Sequence, residues 1–297
     1  MIECTICKNT TFEPKITCRD FTVSQEDFNI VQCTNCGFCF THPVPNEAQI
    51  GRYYQSEDYV SHTNTNKGII NRLYQLLKKR TIRQKGTQII KQSGKKTGTL
   101  LDYGCGTGSF LAHMKSLGWD TIGLEPSPDA RKVAHNEYGL NLQPIEDIWN
   151  LRSKSVDVIT LWHVLEHVHR LNDTIAQLTH LLKDDGLLVI AVPNVTAWDA
   201  QHYQQFWAAY DVPRHLYHFS IGTMERLMAK HQLIVYERKL MPFDAFYVSM
   251  LSEKYKNNGL GIGGLFRAFI NGLRSNIHAG NDLNYASSIT YWIRHKA

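Results

Sequence analysis

Six of the seven cysteines fall within the first 39 residues: Cys4, Cys7, Cys18, Cys33, Cys36 and Cys39. Two of the pairs, Cys4-x-x-Cys7 and Cys33-x-x-Cys36, are separated by 25 residues. Four thiolates on two such turns match the tetrahedral demand of Zn²⁺. The N-terminus has no basic stretch leading into an apolar one, so a secretory signal is not expected. A cytoplasmic chain then favours thiolate chemistry over a disulfide framework. A closed set of four thiolates is structural rather than catalytic. Cys18 and Cys39 stay open as a substitute ligand or as core thiols.

A second constellation lies at Leu100-Leu-Asp-Tyr-Gly-Cys-Gly-Thr-Gly108, where an apolar run meets a glycine loop and then a helical pattern. Glycines allow a sharp turn and close approach of a ligand, and the helix start offers free N–H groups. Gly104, Gly106 and Gly108 follow G-x-G-x-G. The dinucleotide fingerprint needs glycine at 109, where Ser109 stands, which disfavours a nicotinamide oxidoreductase. Asp102 would repel a pyrophosphate but attract an ammonium group. Glu125, at the end of the next strand, can accept both ribose hydroxyls. The implied ligand is a nucleoside with a cationic amino-acid tail.

A third lies at Trp162-His163-Val164-Leu165-Glu166-His167-Val168-His169. His-x-x-Glu-His is also an inverted zinc-protease pattern, but that pattern requires a helix, and this segment leaves a strand. His163 follows the strand's C-terminal end, where ligands of open α/β sheets collect. His167 either braces the core or faces the acceptor.

The elements that must position these groups come from a chain of 297 residues, enough for about two domains. A 43% hydrophobic and 20% charged composition excludes wholesale disorder, and no apolar run is long enough to span a bilayer, so no membrane partner is expected. The formal charge of +5 is uneven. Lys67 to Lys96 holds ten basic residues and no acid, so the rest nets −5. Residues 1–45 read as a cysteine-rich module. Residues 46–96 read as a tyrosine-rich connector (Tyr53, Tyr54, Tyr59) and a basic helix, with Ile69, Ile70, Leu73 and Leu77 inward and Lys/Arg outward. Residues 97–297 read as a domain of strands alternating with helices, hence a parallel sheet covered on both faces. The tail holds an amphipathic stretch after Gly259 and a last strand at 287–293.

DYGCGTGSF, GLEPSPDA, DVITLWHVLEHV and LLKDDGLLVIAVPN, in this order, resemble the class I S-adenosylmethionine-dependent methyltransferases. The resemblance covers about residues 70–297. It implies a Rossmann-like, doubly wound, seven-stranded α/β sheet behind a small zinc-ribbon-like module. It implies that Asp102, Gly104 and Gly106 hold the methionine part, with Cys105 and Gly108 in the same loop. Glu125 and Pro126 would meet the ribose, and Glu146 and Asp147 the adenine. Leu161, Trp162 and His163 would line the methionine and substrate side. Some related methyltransferases carry a Glu-x-x-Glu-His metal site here, where this chain has His163 in place of the first Glu.

The front end resembles a subgroup with an N-terminal zinc module, some of whose members methylate a carbon of deoxysugars. Those keep a Glu-His pair that aligns with Arg214-His215, so the Glu is replaced. A small-molecule acceptor is expected, and the basic face of residues 67–96 would attract an anionic one, such as a nucleotide-linked sugar. An RNA methyltransferase, supported by the basic helix, and a non-catalytic binding module are the alternatives. Methyl transfer from a sulfonium is an in-line displacement that asks mainly for alignment. A hydroxyl or carbon-acid acceptor must also lose a proton, and histidine suits that best. His215, on the long aromatic connection 193–220, is the expected base, with His163 second. Tyr210 and Arg214 are expected to orient or bind the acceptor.

Overall fold

The computed structural model describes residues 2–55 and 69–296, the side chains of 69–78 excepted. Tyr59, Lys67 and the inward face expected of Ile69, Ile70, Leu73 and Leu77 therefore lie outside the described residues.

Near the N-terminus, β1 (Phe12–Arg19), β2 (Asp27–Cys33) and β3 (Cys39–His42) form an antiparallel meander. The catalytic sheet begins with β4 (Thr99–Tyr103), β5 (Asp120–Leu124), β6 (Val156–Trp162) and β7 (Leu182–Pro193), all paired in parallel. Their near-continuous apolar runs fit strands covered by helices on both faces: Val156 to Leu161 and Leu187 to Val192 are buried throughout. A two-residue strand, β8 (Tyr217–His218), then pairs with β3 and completes the N-terminal sheet as β1-β2-β3-β8. The cysteine-rich segment thus shares a sheet with the connection expected to carry the acceptor site. Finally β9 (Leu233–Leu240) and β10 (Ser288–His295) close the catalytic sheet antiparallel, in the order β5-β4-β6-β7-β10-β9.

Among the described residues, six strands stand where seven were expected. The seventh position is reduced to a single parallel bridge between Leu124 and Gln143. Helix signals in the sequence held locally. Ser127 caps Pro128–Tyr138, whose N1 proline and left-handed Gly139 fix its two ends. The long basic helix runs Ile69–Ser93. Between β9 and β10 sits a hairpin of two helices, Pro242–Lys256 and Ile262–Asn281.

Candidate active site

The loop after β4 is held by the Leu124 carbonyl, which accepts from Gly104 N at 2.8 Å and Cys105 N at 3.1 Å. Gly104, Gly106 and Gly108 have φ of +73°, +56° and +74°, the region glycine tolerates best. A Cβ on Gly104 would lie 2.6 Å from Val164, and one on Gly108 2.9 Å from Leu140. A Cβ on Gly106 would meet nothing within 4 Å. The middle of the loop is thus a cradle with room for a ligand.

Two acids flank it. Asp102 is buried, accepts a hydrogen bond from Thr160 Oγ1 at 2.6 Å, and is pushed up to about 7 by burial. A cationic amino group beside it would favour the charged form. Burial also raises Glu125, whose oxygens accept from Gly106 N at 2.8 Å and Ser127 N at 3.0 Å. Each oxygen keeps a lone pair for a ribose hydroxyl. These residues fit the nucleoside with a cationic tail.

The other expected cofactor contacts are mixed. Cys105 is packed towards Gly123, and burial raises its thiol, so it acts as filler. The Pro126 carbonyl accepts from Arg131 at 3.0 Å on the rim. Glu146 and Asp147 sit in the helical turn Ile145–Asn150 that follows the Gln143 bridge. Leu161 is a correction: its side chain is wholly buried in the main core, so it cannot line the pocket. Trp162 does stand at the site, edge-on to Phe110, with its buried indole N–H unpaired among the described residues.

Lys85 corrects the expectation that every cation of the basic helix faces outward. Its Nζ lies 3.8 Å from the Trp162 ring centre. Burial lowers it to about 8, against the pull of Asp244 and Asp102. Lys79, Arg80 and Arg83 are exposed, as expected.

Beyond β6 the chain builds a cluster around Glu166. His163 has a left-handed φ of 57°. Its Nε2 lies 2.9 Å from Asp244 Oδ2, and its Nδ1 3.5 Å from Glu166 Oε1. Burial opposes its charge, but the two carboxylates outweigh burial and raise it to about 10. His163 is therefore an imidazolium at neutral pH, with no lone pair to take a proton. That removes it as the base. Glu166 is fully buried, and neither oxygen has a hydrogen-bond partner among the described residues.

His167 and His215 approach Glu166 from the other side, their rings 4.6 Å apart and edge to face. His215 Nδ1 is 2.9 Å from the Ala209 carbonyl. His167 Nδ1 is 3.0 Å from the Arg214 carbonyl. A carbonyl only accepts, so His215 Nδ1 carries a proton, while His167 Nδ1 also meets the Tyr54 hydroxyl at 3.0 Å. Burial and the nearby His215 hold His167 down to about 4. His215 Nε2 stands 4.0 Å from Glu166 and 3.9 Å from Asp211. Ligand atoms of Glu166, His167 and His215 lie within 4.8 Å of one another, a set that could hold a divalent cation.

Arg214 is a second correction. Its guanidinium is 1% exposed and every arm is engaged: Asp211, Asp20 at 2.9 Å, and the Tyr53 carbonyl at 2.8 Å. It clamps the N-terminal module to the connection 193–220, with each guanidinium nitrogen already bonded inside the protein. Tyr210 is likewise packed in a second core, edge-on to Trp207 and His218. Asp211, Asp244 and Lys85 are the site residues that sequence reasoning missed, while Glu166 stood in the His-x-x-Glu-His pattern without a role of its own.

The four paired cysteines converge 25 residues apart in sequence, with Cys4–Cys36 and Cys7–Cys33 sulfurs each 3.5 Å apart. A zinc–thiolate tetrahedron has edges of about 3.8 Å. Burial works against a Cys33 thiolate, but N–H groups of Cys36, Asn35 and Asn9 lower it to about 6. Cys18 and Cys39 are core thiols, raised by burial to about 12 and about 11.

Comparison with known proteins agrees with this geometry. A family model described as a methyltransferase domain matches residues 72–237, just over half of the chain. A ubiquinone biosynthesis O-methyltransferase of Glaesserella parasuis is 36% identical over 109 residues, 33% of this chain and 46% of that protein. One of Pelagibacter ubique is 31% identical over 102 residues, 33% of this chain and 42% of that protein. The chain therefore matches less than half the length of these relatives. Among solved structures, the cyclase SpnF has a TM-score of 0.53 at 14% identity, covering 86% of this chain and 98% of its own. A geranyl diphosphate methyltransferase in complex with SAM has a TM-score of 0.50 at 15% identity, covering 80% and 95%. At such identities the likeness is one of fold alone. With the family match and the glycine loop, Asp102 and Glu125 in their places, the chain belongs to the methyltransferase-domain family, among the class I S-adenosylmethionine-dependent methyltransferases.

Proposed function

We propose that this protein moves the methyl group of S-adenosylmethionine to an oxygen or carbon of a small acceptor, with His215 taking the acceptor's proton. The observation that carries this is the His215 ring, whose Nδ1 is committed to the Ala209 carbonyl and whose Nε2 points between Glu166 and Asp211. Once protonated, that imidazolium would be stabilised by both carboxylates. The bound cofactor supplies the electrophilic methyl. Asp102 would hold its amino group, Glu125 its ribose, and the Gly106 backbone would run alongside. The relatives' O-methyltransferase names support an oxygen acceptor, and the exposed basic face at Lys79, Arg80 and Arg83 supports an anionic one, such as a nucleotide-linked sugar.

Calorimetric titration with S-adenosylmethionine tests the pocket. A hydrogen bond to a charged group is worth about 1.5–3 kcal/mol, so Asp102→Ala and Glu125→Ala should each weaken binding about ten- to a hundredfold. Unchanged affinity in both variants overturns the assignment.

A second reading rests on Glu166, whose oxygens have no hydrogen-bond partner among the described residues, standing beside the rings of His167 and His215. A divalent cation there would make His215 a ligand. Activity abolished by chelation and restored by Mg²⁺, Mn²⁺ or Zn²⁺ would decide for that reading.

We also propose a structural zinc on Cys4, Cys7, Cys33 and Cys36. The purified protein should carry about one zinc per chain, and Cys33→Ser should lose it and melt at a lower temperature. A metal-free native protein with wild-type stability rejects the site.

A further inference from the structure

The helix Ile262–Asn281 is inside out for a surface helix. The residues it buries are small or polar: Gly264, Ala268, Asn271, Gly272, Ser275 and Ala279. At Gly272 its backbone and that of the preceding helix are so close that a Cβ would lie 2.9 Å from Phe246 Cα. The large side chains lie on the outer side, Phe269 also stacking on Phe246 at its edge. Ile262, Phe266, Phe269, Leu273 and Ile277, spaced by three or four residues, are 89%, 67%, 57%, 43% and 57% exposed. A water-facing helix normally does the reverse. This stripe runs the length of a 20-residue helix, about 30 Å. The tight inner face also fixes its orientation, so the stripe cannot turn inward.

The charge around the stripe has one sign. From Lys254 to Asn281 there is no Asp or Glu, while Lys254, Lys256, Arg267 and Arg274 are present. Beside the stripe opens a cleft of about 360 Å³, lined by Lys256, Arg267 and Arg274 together with Phe266, Ile270 and Asn257. Its one acid, Glu253, is 3% exposed and already paired with Arg267 at 2.9 Å. A second copy of this chain is a poor occupant. A two-fold contact would set these cations against themselves with no acid to answer them. An apolar stripe flanked by arginine and lysine is instead the pattern of a helix lying in a bilayer interface. Among the described residues no helix is long and apolar enough to cross a membrane.

We propose that the hairpin 242–281 docks on a membrane surface rich in anionic phospholipid. The stripe enters the headgroup boundary and the basic cleft meets a lipid phosphate. This inference stands independently of the acceptor and of His215.

The test is co-sedimentation of the full chain with vesicles of phosphatidylcholine, with and without phosphatidylglycerol. Binding is expected to the anionic vesicles and to fall as salt rises. Phe266→Ser with Phe269→Ser should lower partitioning about tenfold or more, and Arg274→Gln about fivefold on the anionic vesicles alone. Both sites are exposed, and retained S-adenosylmethionine affinity shows that the variants are folded. Three results overturn the proposal: wild-type protein left in the supernatant with anionic vesicles, stripe variants that sediment like wild type, or a solution dimer that the stripe variants convert to monomer.

Discussion

His215→Gln is expected to lower kcat about 100-fold or more while S-adenosylmethionine affinity stays at the wild-type value. Glutamine can keep the local structure, because its amide N–H can still donate to the Ala209 carbonyl that His215 now holds at 2.9 Å. It has no group that can take a proton near neutral pH. The His215 ring bonds or pairs with Ala209, Glu166 and Asp211, none of them in the glycine loop, so cofactor affinity should not change. The other histidines cannot stand in. His163 is already charged between Asp244 and Glu166, and His167 is held neutral with its Nδ1 on a carbonyl. Steady-state kinetics with the methyl acceptor check this. Wild-type kcat in the variant removes the base. A loss of kcat in an enzyme that chelators also silence assigns His215 to the cation instead.

The expected site residues that the structure brings together are those close in sequence. Asp102 and the three glycines lie within seven residues of one strand-to-helix turn, and Glu125 follows the next strand, so strand periodicity alone places them together. The same holds for the cysteines, because each knuckle is a local turn and the pairing of two knuckles is a metal's requirement. What was not legible depends on contacts far apart in the chain. Asp20 reaches Arg214 across 194 positions, and nothing near Arg214 reveals that its guanidinium is held inside the protein. The spacing Asp211-x-x-Arg214 was the one local hint. Asp244 was missed because the helix that carries it, Pro242–Lys256, buries Ala245, Ser249 and Ser252 rather than a stripe of large apolar residues. Lys85 was misread because a cation on a basic helix usually faces water, and here Trp162 and two acids face it instead. The strand count fell short because the seventh strand is a single bridge at Gln143, too short for any alternation to mark it.

Arg214→Met is expected to destabilise the fold by about 3–5 kcal/mol, the cost of leaving buried charges without their partner. The variant keeps the apolar stem but uncovers Asp20 and Asp211 and frees the Tyr53 carbonyl. Asp20 also accepts from the N–H groups of Thr22, Val23 and Ser24, so the loss reaches the turn between β1 and β2. The dependence on pH has a definite sign. Burial alone would raise both acids, but Arg214 holds each below the ordinary carboxylate value. Their contribution is therefore full above about pH 4 and is lost as pH falls through the lowered values. Without Arg214 the buried acids gain from taking up a proton, and the variant's loss shrinks as pH falls. Denaturant unfolding of both proteins at neutral pH and near pH 4 should show a deficit that is largest at neutral pH and narrows in acid. An Arg214 that bound the acceptor would behave otherwise, raising KM in a variant of wild-type stability, and that result would overturn the clamp.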